Sequence, residues 1–273
     1  MTADLSGARV LVVGSSTGIG RCIAIEAVKA GAKVAFSARS RDKLQAAVDE
    51  AGGGVVVVGD VRDPADCARI LDEAIDAIGG LDLLVFATGV SPLMPMEETP
   101  PETLRDVFET NVIGGLTLLT AAAVRLDPGG IIAYLGSDSV GAAYPGMVHY
   151  AASKAALDQG VDGLRMEFPE TRFLRIAVGP TAGTAIALDY DPEITARMLP
   201  QMLRFARGTE KFMTASDLGE LIVEMVGPAL RHKDIEVEDI VIRPPGGPIP
   251  WGTDLGLQIE KNKAFTEPEG AGA

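Results

Sequence analysis

An α/β fold is what the sequence predicts: a doubly wound, seven-stranded and mostly parallel sheet with helices on both faces. Three observations carry this. Short apolar runs alternate with helix-length amphipathic segments, the pattern of successive βαβ units. Most of the runs are apolar throughout rather than at every second residue, as strands buried on both faces of a parallel sheet must be. A glycine-rich turn follows the first run and leads straight into a helical pattern, as in the first crossover of such a sheet.

"RVLVVG" from Arg9 reads as the first strand, and "IGRCIAIEAVKA" as the helix behind it, ended by Gly31. "KVAFSAR" from Lys33, "GVVVVGD" from Gly54 and "LDLLVFATG" from Leu81 are the next three strands. Pro100 and Pro101 open a long helical segment that runs to Val124, with Thr99 as its expected N-cap. Gly114 and Gly115 inside it point to an irregular or closely packed stretch. "GGIIAYLGS" from Gly129, "RFLRIAVG" from Arg172 and "IEVEDIVIRPP" from Ile235 complete the sheet. No linker or internal repeat interrupts this order. Residues 1–255 are therefore expected to form one domain, with Trp251 anchoring the start of a Gly- and Pro-rich tail and residues 256–273 mobile.

Charge narrows the partners. The 273 residues carry 24 Lys and Arg against 38 Asp and Glu, a net charge of −14. Nucleic acid and anionic membrane surfaces are repelled by such a chain. No stretch approaches the roughly eighteen uncharged apolar residues of a membrane span, and the N-terminus lacks the basic start and apolar run of a signal peptide. Cys22 and Cys67 read as buried free thiols of a reducing compartment, so a cytoplasmic location is expected. The two histidines, His149 and His232, are far apart and nothing has metal-ligand spacing, so no metal is expected. An anionic cofactor must be held here by helix N-termini and isolated cations.

The turn after the first strand supplies one such place. In "GSSTGIG", Gly14, Gly18 and Gly20 let the backbone turn sharply and approach a pyrophosphate, and the following helix offers unpaired N–H groups. At the end of the second strand, where a site for an unphosphorylated ribose usually has Asp or Glu, the chain has Ala38 followed by Arg39. A guanidinium there suits a 2′-phosphate, so NADP is expected over NAD; the alternative role of Arg39 is to stack on adenine or cap a helix. Further along, "HYAASK" places Tyr150 and Lys154 on one helical face, one turn apart.

With these motifs the chain resembles the short-chain dehydrogenase/reductase family, of the short classical type with a single Rossmann-like domain, over about Ala8 to Pro244. The resemblance implies a cofactor site from Gly14, Ser16, Thr17, Gly18, Ile19 and Gly20, with Asp60 and Val61 at the adenine. It adds Ala87 and Gly89, then Tyr150 and Lys154, and finally Pro180 and Thr184 at the nicotinamide. It also implies a catalytic set of Asn111, Ser137, Tyr150 and Lys154. Ser137 lies thirteen residues before Tyr150, and Ser139 is the alternative serine. The implied reaction is hydride transfer between nicotinamide and a carbonyl or secondary alcohol. Tyr150 would move the proton, and Lys154 would lower its pKa and hold the ribose. Ser137 would bind the substrate oxygen, and Asn111 would link Lys154 to solvent through a water. The chain departs from the family in "FATG", where Ala87 and Thr88 replace bracing residues, and in the transposed Gly179-Pro180.

The segment from 181 to 213 follows the sixth strand and is expected to form a substrate lid, with Met198, Leu199, Met202, Leu203 and Phe205 at helical spacing and Arg204 and Arg207 among them. Met94 and Met96 are candidates for the opposite wall. The apolar circumference from Val107 to Val124 predicts a homodimer or homotetramer. A non-catalytic NADP-binding regulator or redox sensor on the same fold is the alternative function. A sugar-nucleotide epimerase or dehydratase shares the Tyr-x-x-x-Lys pattern but usually has a different glycine spacing.

Overall fold

The computed structural model describes residues 4–184, 190–204 and 211–245, with the side chains of Leu203 and Arg204 left out. Seven strands form one sheet: β1 (Arg9–Val13), β2 (Lys33–Ala38), β3 (Val55–Val58), β4 (Leu83–Phe86), β5 (Ile131–Ser137), β6 (Arg172–Val178) and β9 (Asp239–Ile242). Their order is β3-β2-β1-β4-β5-β6-β9, and every neighbouring pair is parallel. Parallel neighbours need crossovers, and these are α1 (Gly18–Lys29), α2 (Arg41–Ala51), α3 (Pro64–Ile78), α4 (Pro101–Phe108), α5 (Gly114–Ala123), α6 (Val148–Glu167), α7 (Pro192–Arg204) and α8 (Ala215–Arg231).

Strand alternation divides the core in two. Val10 and Val12 face one way with Phe36, Val85 and Ile176, under α1, α2 and α8. Leu11 and Val13 face the other way with Ala35, Phe86 and Phe173, under α3, α5 and α6. Burial on both faces explains why these strands read as unbroken apolar runs. Local signals fix several helix ends. Asp63 caps α3 by accepting from the Ala65 N–H, with Pro64 as first residue, and Gly79 ends it at φ 85°.

Two expectations are corrected. The long helix is not continuous: α4 and α5 are separated by a π-helical turn, Glu109–Ile113, and Pro100 rather than Thr99 precedes α4, Thr99 Oγ1 instead donating to the Pro95 carbonyl. The last strand is shorter than its apolar run, since Ile235 and Val237 are exposed and only Asp239–Ile242 pairs with β6. The segment after β6 contributes two further strands, β7 (Thr181–Ala182) and β8 (Met213–Thr214), which pair in parallel and bring its two ends together. Phe205, Arg207, Trp251 and the tail from 256 lie outside the described residues.

Candidate active site

Strand order reverses between β1 and β4, so the loops after these strands meet at the C-terminal edge of the sheet, where such folds bind ligands. They meet closely. A Cβ on Gly14 (φ 95°) would lie 2.7 Å from the Thr88 nitrogen and 2.8 Å from the Ala87 carbonyl carbon, and one on Gly20 would lie 2.8 Å from the Ala87 side chain. The altered "FATG" turn thus packs on the glycine loop, and these two glycines have no room for a side chain. Ser15 is buried and its hydroxyl donates to the Ser37 carbonyl. The N-terminus of α1 is open: Thr17 makes no side-chain capping bond, and no acidic residue lies in the first turn. With Ser16, Gly18 and Ile19 it presents a positive dipole end without a protein partner on the cap.

Arg39 is exposed at the end of β2, with no ion pair among the described residues. Asp60 is engaged by Arg62 through its carboxylate, with Nη2–Oδ2 at 2.6 Å, and that pair holds the acid below its ordinary range, helped by Arg39. Val61 is buried against Gly114, where a Cβ would come 2.7 Å from the Val61 carbonyl oxygen. Pro180 accepts from the Met213 N–H, and Thr184 is the last described residue before a gap.

The four residues expected to carry chemistry gather around Gly89. Ser137 ends β5, Tyr150 and Lys154 stand on the first turns of α6, and Asn111 stands in the π turn. Lys154 is 3% exposed, its Nζ donates to the Leu135 carbonyl at 2.8 Å, and it lies 5.8 Å from the centre of the Tyr150 ring. A Cβ on Gly89 would lie 3.4 Å from Lys154 Nζ and 3.5 Å from Asn111 Oδ1, so both groups line one small space over this glycine. Asn111 is fully buried. Its Oδ1 accepts from the Val90 N–H at 2.8 Å, and its Nδ2 donates to the Val90 carbonyl and to Ser153 Oγ, both at 2.9 Å. Ser153 in turn donates to the Tyr150 carbonyl at 2.7 Å. Asn111 therefore ties the loop after β4 to the tyrosine's helix, a reach that the π turn gives it.

Ser137, not Ser139, meets the phenol. Burial pushes Tyr150 up to about 12, and the Ser137 hydroxyl draws it partly down. Ser139 lies behind, its hydroxyl 2.8 Å from that of Ser137 and its N–H donating to Ser137 Oγ. Lys154 stands beside the Tyr150 ring, with its Nζ turned to the Leu135 carbonyl. Burial brings the lysine itself down to about 8. Asp158, one turn further along α6, opposes this, held by Arg175 at 2.8 Å. Ser153 and Asp158 went unnoticed in the sequence. The first sits inside "YAASK", and the second was legible as the acid four residues after Lys154.

Above the cleft, Met198 of α7 packs on the turn before α6, where a Cβ on Gly146 would meet it at 3.0 Å, and Arg197 pairs with Glu98 at 2.6 Å across the opening. Met94 is partly buried, and its N–H donates to the Gly146 carbonyl, whereas Met96 is exposed. Leu199 and Met202 are half-buried on α7.

Fold and site together define a class, the oxidoreductases built on one doubly wound sheet. The chain belongs to the short-chain dehydrogenase family, whose model matches residues 8–194. It is similar to 11-beta-hydroxysteroid dehydrogenase A of Sesamum indicum, 34% identical over 172 residues that cover 60% of this chain and 49% of that protein. Glucose 1-dehydrogenase of Gluconobacter oxydans (strain 621H) is 35% identical over 187 residues, covering 65% of this chain and 70% of that protein. The chain thus spans about half the length of the first of these relatives. The crystal structure of a short chain dehydrogenase from Burkholderia cenocepacia J2315 in complex with NADP superposes with a TM-score of 0.75 at 28% identity, over 87% of this chain and 97% of that one. No helix among the described residues is long and apolar enough to cross a membrane, and no cluster of metal-ligating side chains occurs among them.

Proposed function

We propose that the protein is an NADP(H)-dependent oxidoreductase acting on a carbonyl/secondary alcohol pair, with Tyr150 as acid/base. The observation that carries this is the convergence of the Tyr150 phenol, the Ser137 hydroxyl and the buried Lys154 ammonium at the end of β5, beside a Gly89 that leaves room for a ligand. The residues fit a nicotinamide dinucleotide. The uncapped start of α1 suits a pyrophosphate, with Gly14, Ser16, Thr17, Gly18, Ile19 and Gly20 around it. Arg39 suits a 2′-phosphate, and Asp60 and Val61 the adenine. Ala87, Gly89, Tyr150 and Lys154 flank the place for the inner ribose, and Pro180 and Thr184 that for the carboxamide.

When bound, the nicotinamide supplies or takes the hydride. The chain's own residues handle the oxygen. Ser137 donates a hydrogen bond to it, strengthening as negative charge develops. Tyr150, protonated at neutral pH with a pKa near 12, donates the proton, which makes the free protein a ready acid for carbonyl reduction. In the oxidative direction the phenol must be lowered, and the Lys154 ammonium with a cationic nicotinamide supplies that field. Asn111 acts on the chemistry through position, holding Val90 and, by way of Ser153, the Tyr150 main chain.

A panel of ketones with NADPH consumption as readout tests the reaction, with Tyr150→Phe beside the wild type. Removal of the hydroxyl lowers turnover by about 10²–10⁴, the contribution of a positioned acid, while NADPH affinity by fluorescence titration stays the same. Full turnover in Tyr150→Phe would sink the mechanism.

A further inference from the structure

A row of alternating charges runs from the sheet edge to the active site, and the hydride transfer assigns it no part. Tyr134 of β5, Arg175 of β6 and Asp239 of β9 are register partners, so their side chains leave the same face of the sheet. α6 covers that face, and its Asp158 stands on the row. Arg175 Nη1 pairs with Asp158 Oδ2 at 2.8 Å, and its Nε donates to Asp239 Oδ1. The two acids differ in setting: the Asp158 side chain is 14% exposed and that of Asp239 is 48% exposed. One residue further along β5, the Leu135 carbonyl accepts from Lys154 Nζ at 2.8 Å. Lys154 precedes Asp158 by one turn of α6, about 6 Å along the helix axis. Successive residues of β5 thus meet successive turns of α6, and Asp239, Arg175, Asp158 and Lys154 alternate in sign. One guanidinium between two carboxylates leaves a negative charge over, and the buried ammonium matches it. Among the described residues Asp158 is the charged group that acts on Lys154; its other neighbours, Tyr150, the Leu135 carbonyl and Asn111, are neutral. Around Asp158 stand Arg175, Tyr134 and Lys154, with Arg165 two turns further along α6 and paired to Asp162. Burial pushes the Asp158 carboxyl up and Arg175 draws it back, so Arg175 preserves an anion beside the ammonium.

We propose that Asp158, held ionised by Arg175, is a positioning residue for the reaction: it keeps Lys154 an ammonium at neutral pH. This rests on the reading in which that ammonium holds the cofactor ribose and supplies the field that lowers the Tyr150 phenol. Burial drives the amine towards its neutral form, and Asp158 opposes it. A neutral amine would bring no field to the phenol. Asp158 itself touches neither substrate nor cofactor; it acts through Lys154 alone. A pair that merely fastened α6 to β6 would leave the charge of Lys154 where it was.

Two arms test it. In the first, the lysine Cε resonances of the cofactor-free protein are titrated by NMR, and that of Lys154 is assigned by its loss in Lys154→Met. This reads the charge without turnover. In Asp158→Asn the midpoint falls by about one pH unit, the size expected of one charge about 6 Å away in a partly buried site. Asp158→Ser gives the same fall should the amide disturb folding, and Asp158→Glu, which keeps the charge, restores the midpoint. Asp239→Asn, at the exposed end of the row, moves it far less. In the second arm, ketone reduction by NADPH is followed against pH, and the alkaline limb of kcat/KM moves down in Asp158→Asn with the midpoint. A fallen midpoint in a protein that turns over no ketone would keep the hold of Asp158 on Lys154 and reject the hydride-transfer reading. A midpoint unmoved in both neutral variants, or an alkaline limb that stays in place while the midpoint falls, overturns the proposal.

Discussion

Lys154→Met should make the cofactor-free protein more stable near neutral pH while destroying its affinity for NADPH. The lysine is buried with one hydrogen bond, to the Leu135 carbonyl, and burial lowers its pKa from 10.5 to about 8. Displacement from 10.5 to about 8 corresponds to about 3 kcal/mol against folding wherever the amine is charged in both states. The sign follows from the direction. Stability conferred by the neutral amine is full above 10.5 and is lost as the pH falls through about 8, so wild type bears the whole cost at pH 6.5. At pH 9.5 that cost has shrunk to about 1 kcal/mol. Loss of the bond to Leu135 offsets about 1–2 kcal/mol in the variant. The net gain for Lys154→Met is therefore about 2 kcal/mol at pH 6.5, a rise of about 4–8 °C in melting temperature, and close to nothing at pH 9.5. Tyr150, whose phenol is raised, contributes stability that is lost above pH 10, but it does so in both proteins and cancels in the difference. Thermal melts of both proteins without cofactor at the two pH values, beside NADPH titrations, give the answer. A variant less stable than wild type at pH 6.5, or a gain that persists at pH 9.5, would refute the argument from burial.

Three other outcomes are expected. Arg39→Asp removes a cation from the end of β2 and adds repulsion, so preference for NADPH over NADH by binding titration should fall about tenfold or more; unchanged preference would assign Arg39 another role. Arg172, nearly buried and with no salt bridge among the described residues, donates to the carbonyls of Ala229, His232, Ile235 and Gly129, so Arg172→Met should cost about 3 kcal/mol in urea unfolding, and a loss below about 1 kcal/mol would show that those carbonyls find other partners. Apolar side chains stand exposed on the α4–α6 side, Ile113 at 51%, Val124 at 68% and Met166 at 81%, so light scattering at micromolar protein should give a dimer or tetramer, and a monomer would remove that expectation.

How far the sequence reached depended on whether a signal was local. β1, β2, β4, β5 and β6 were legible because both faces of each are buried, leaving unbroken runs such as Val10–Val13. The last strand was overread for the complementary reason: Ile235 and Val237 have the residue types of a strand but no neighbour to pair with. The π turn was invisible except for Gly114 and Gly115 nearby, since the contact it serves, Asn111 to Val90, joins residues distant in sequence. Tyr150 and Lys154 were found from their spacing, but the lysine's own hydrogen-bond partner was not. Periodicity shows that two side chains share a helix face; it does not show that Nζ turns to the Leu135 carbonyl.

The short pairing of Thr181 and Ala182 with Met213 and Thr214 bears on how such a protein can change. The chain leaves the sheet after β6 and re-enters the scaffold at α8 from the same spot. The roughly thirty residues between enter as a loop whose ends are already joined, and altering the length of such a loop costs little, about 0.6 kcal/mol for each doubling. One wall of the cleft can then be rewritten by insertion, deletion or wholesale graft. The strand register and the helix that presents Tyr150 need not move. Divergence of substrate range is thereby uncoupled from the inheritance of the proton machinery, and a single contiguous exchange would carry it.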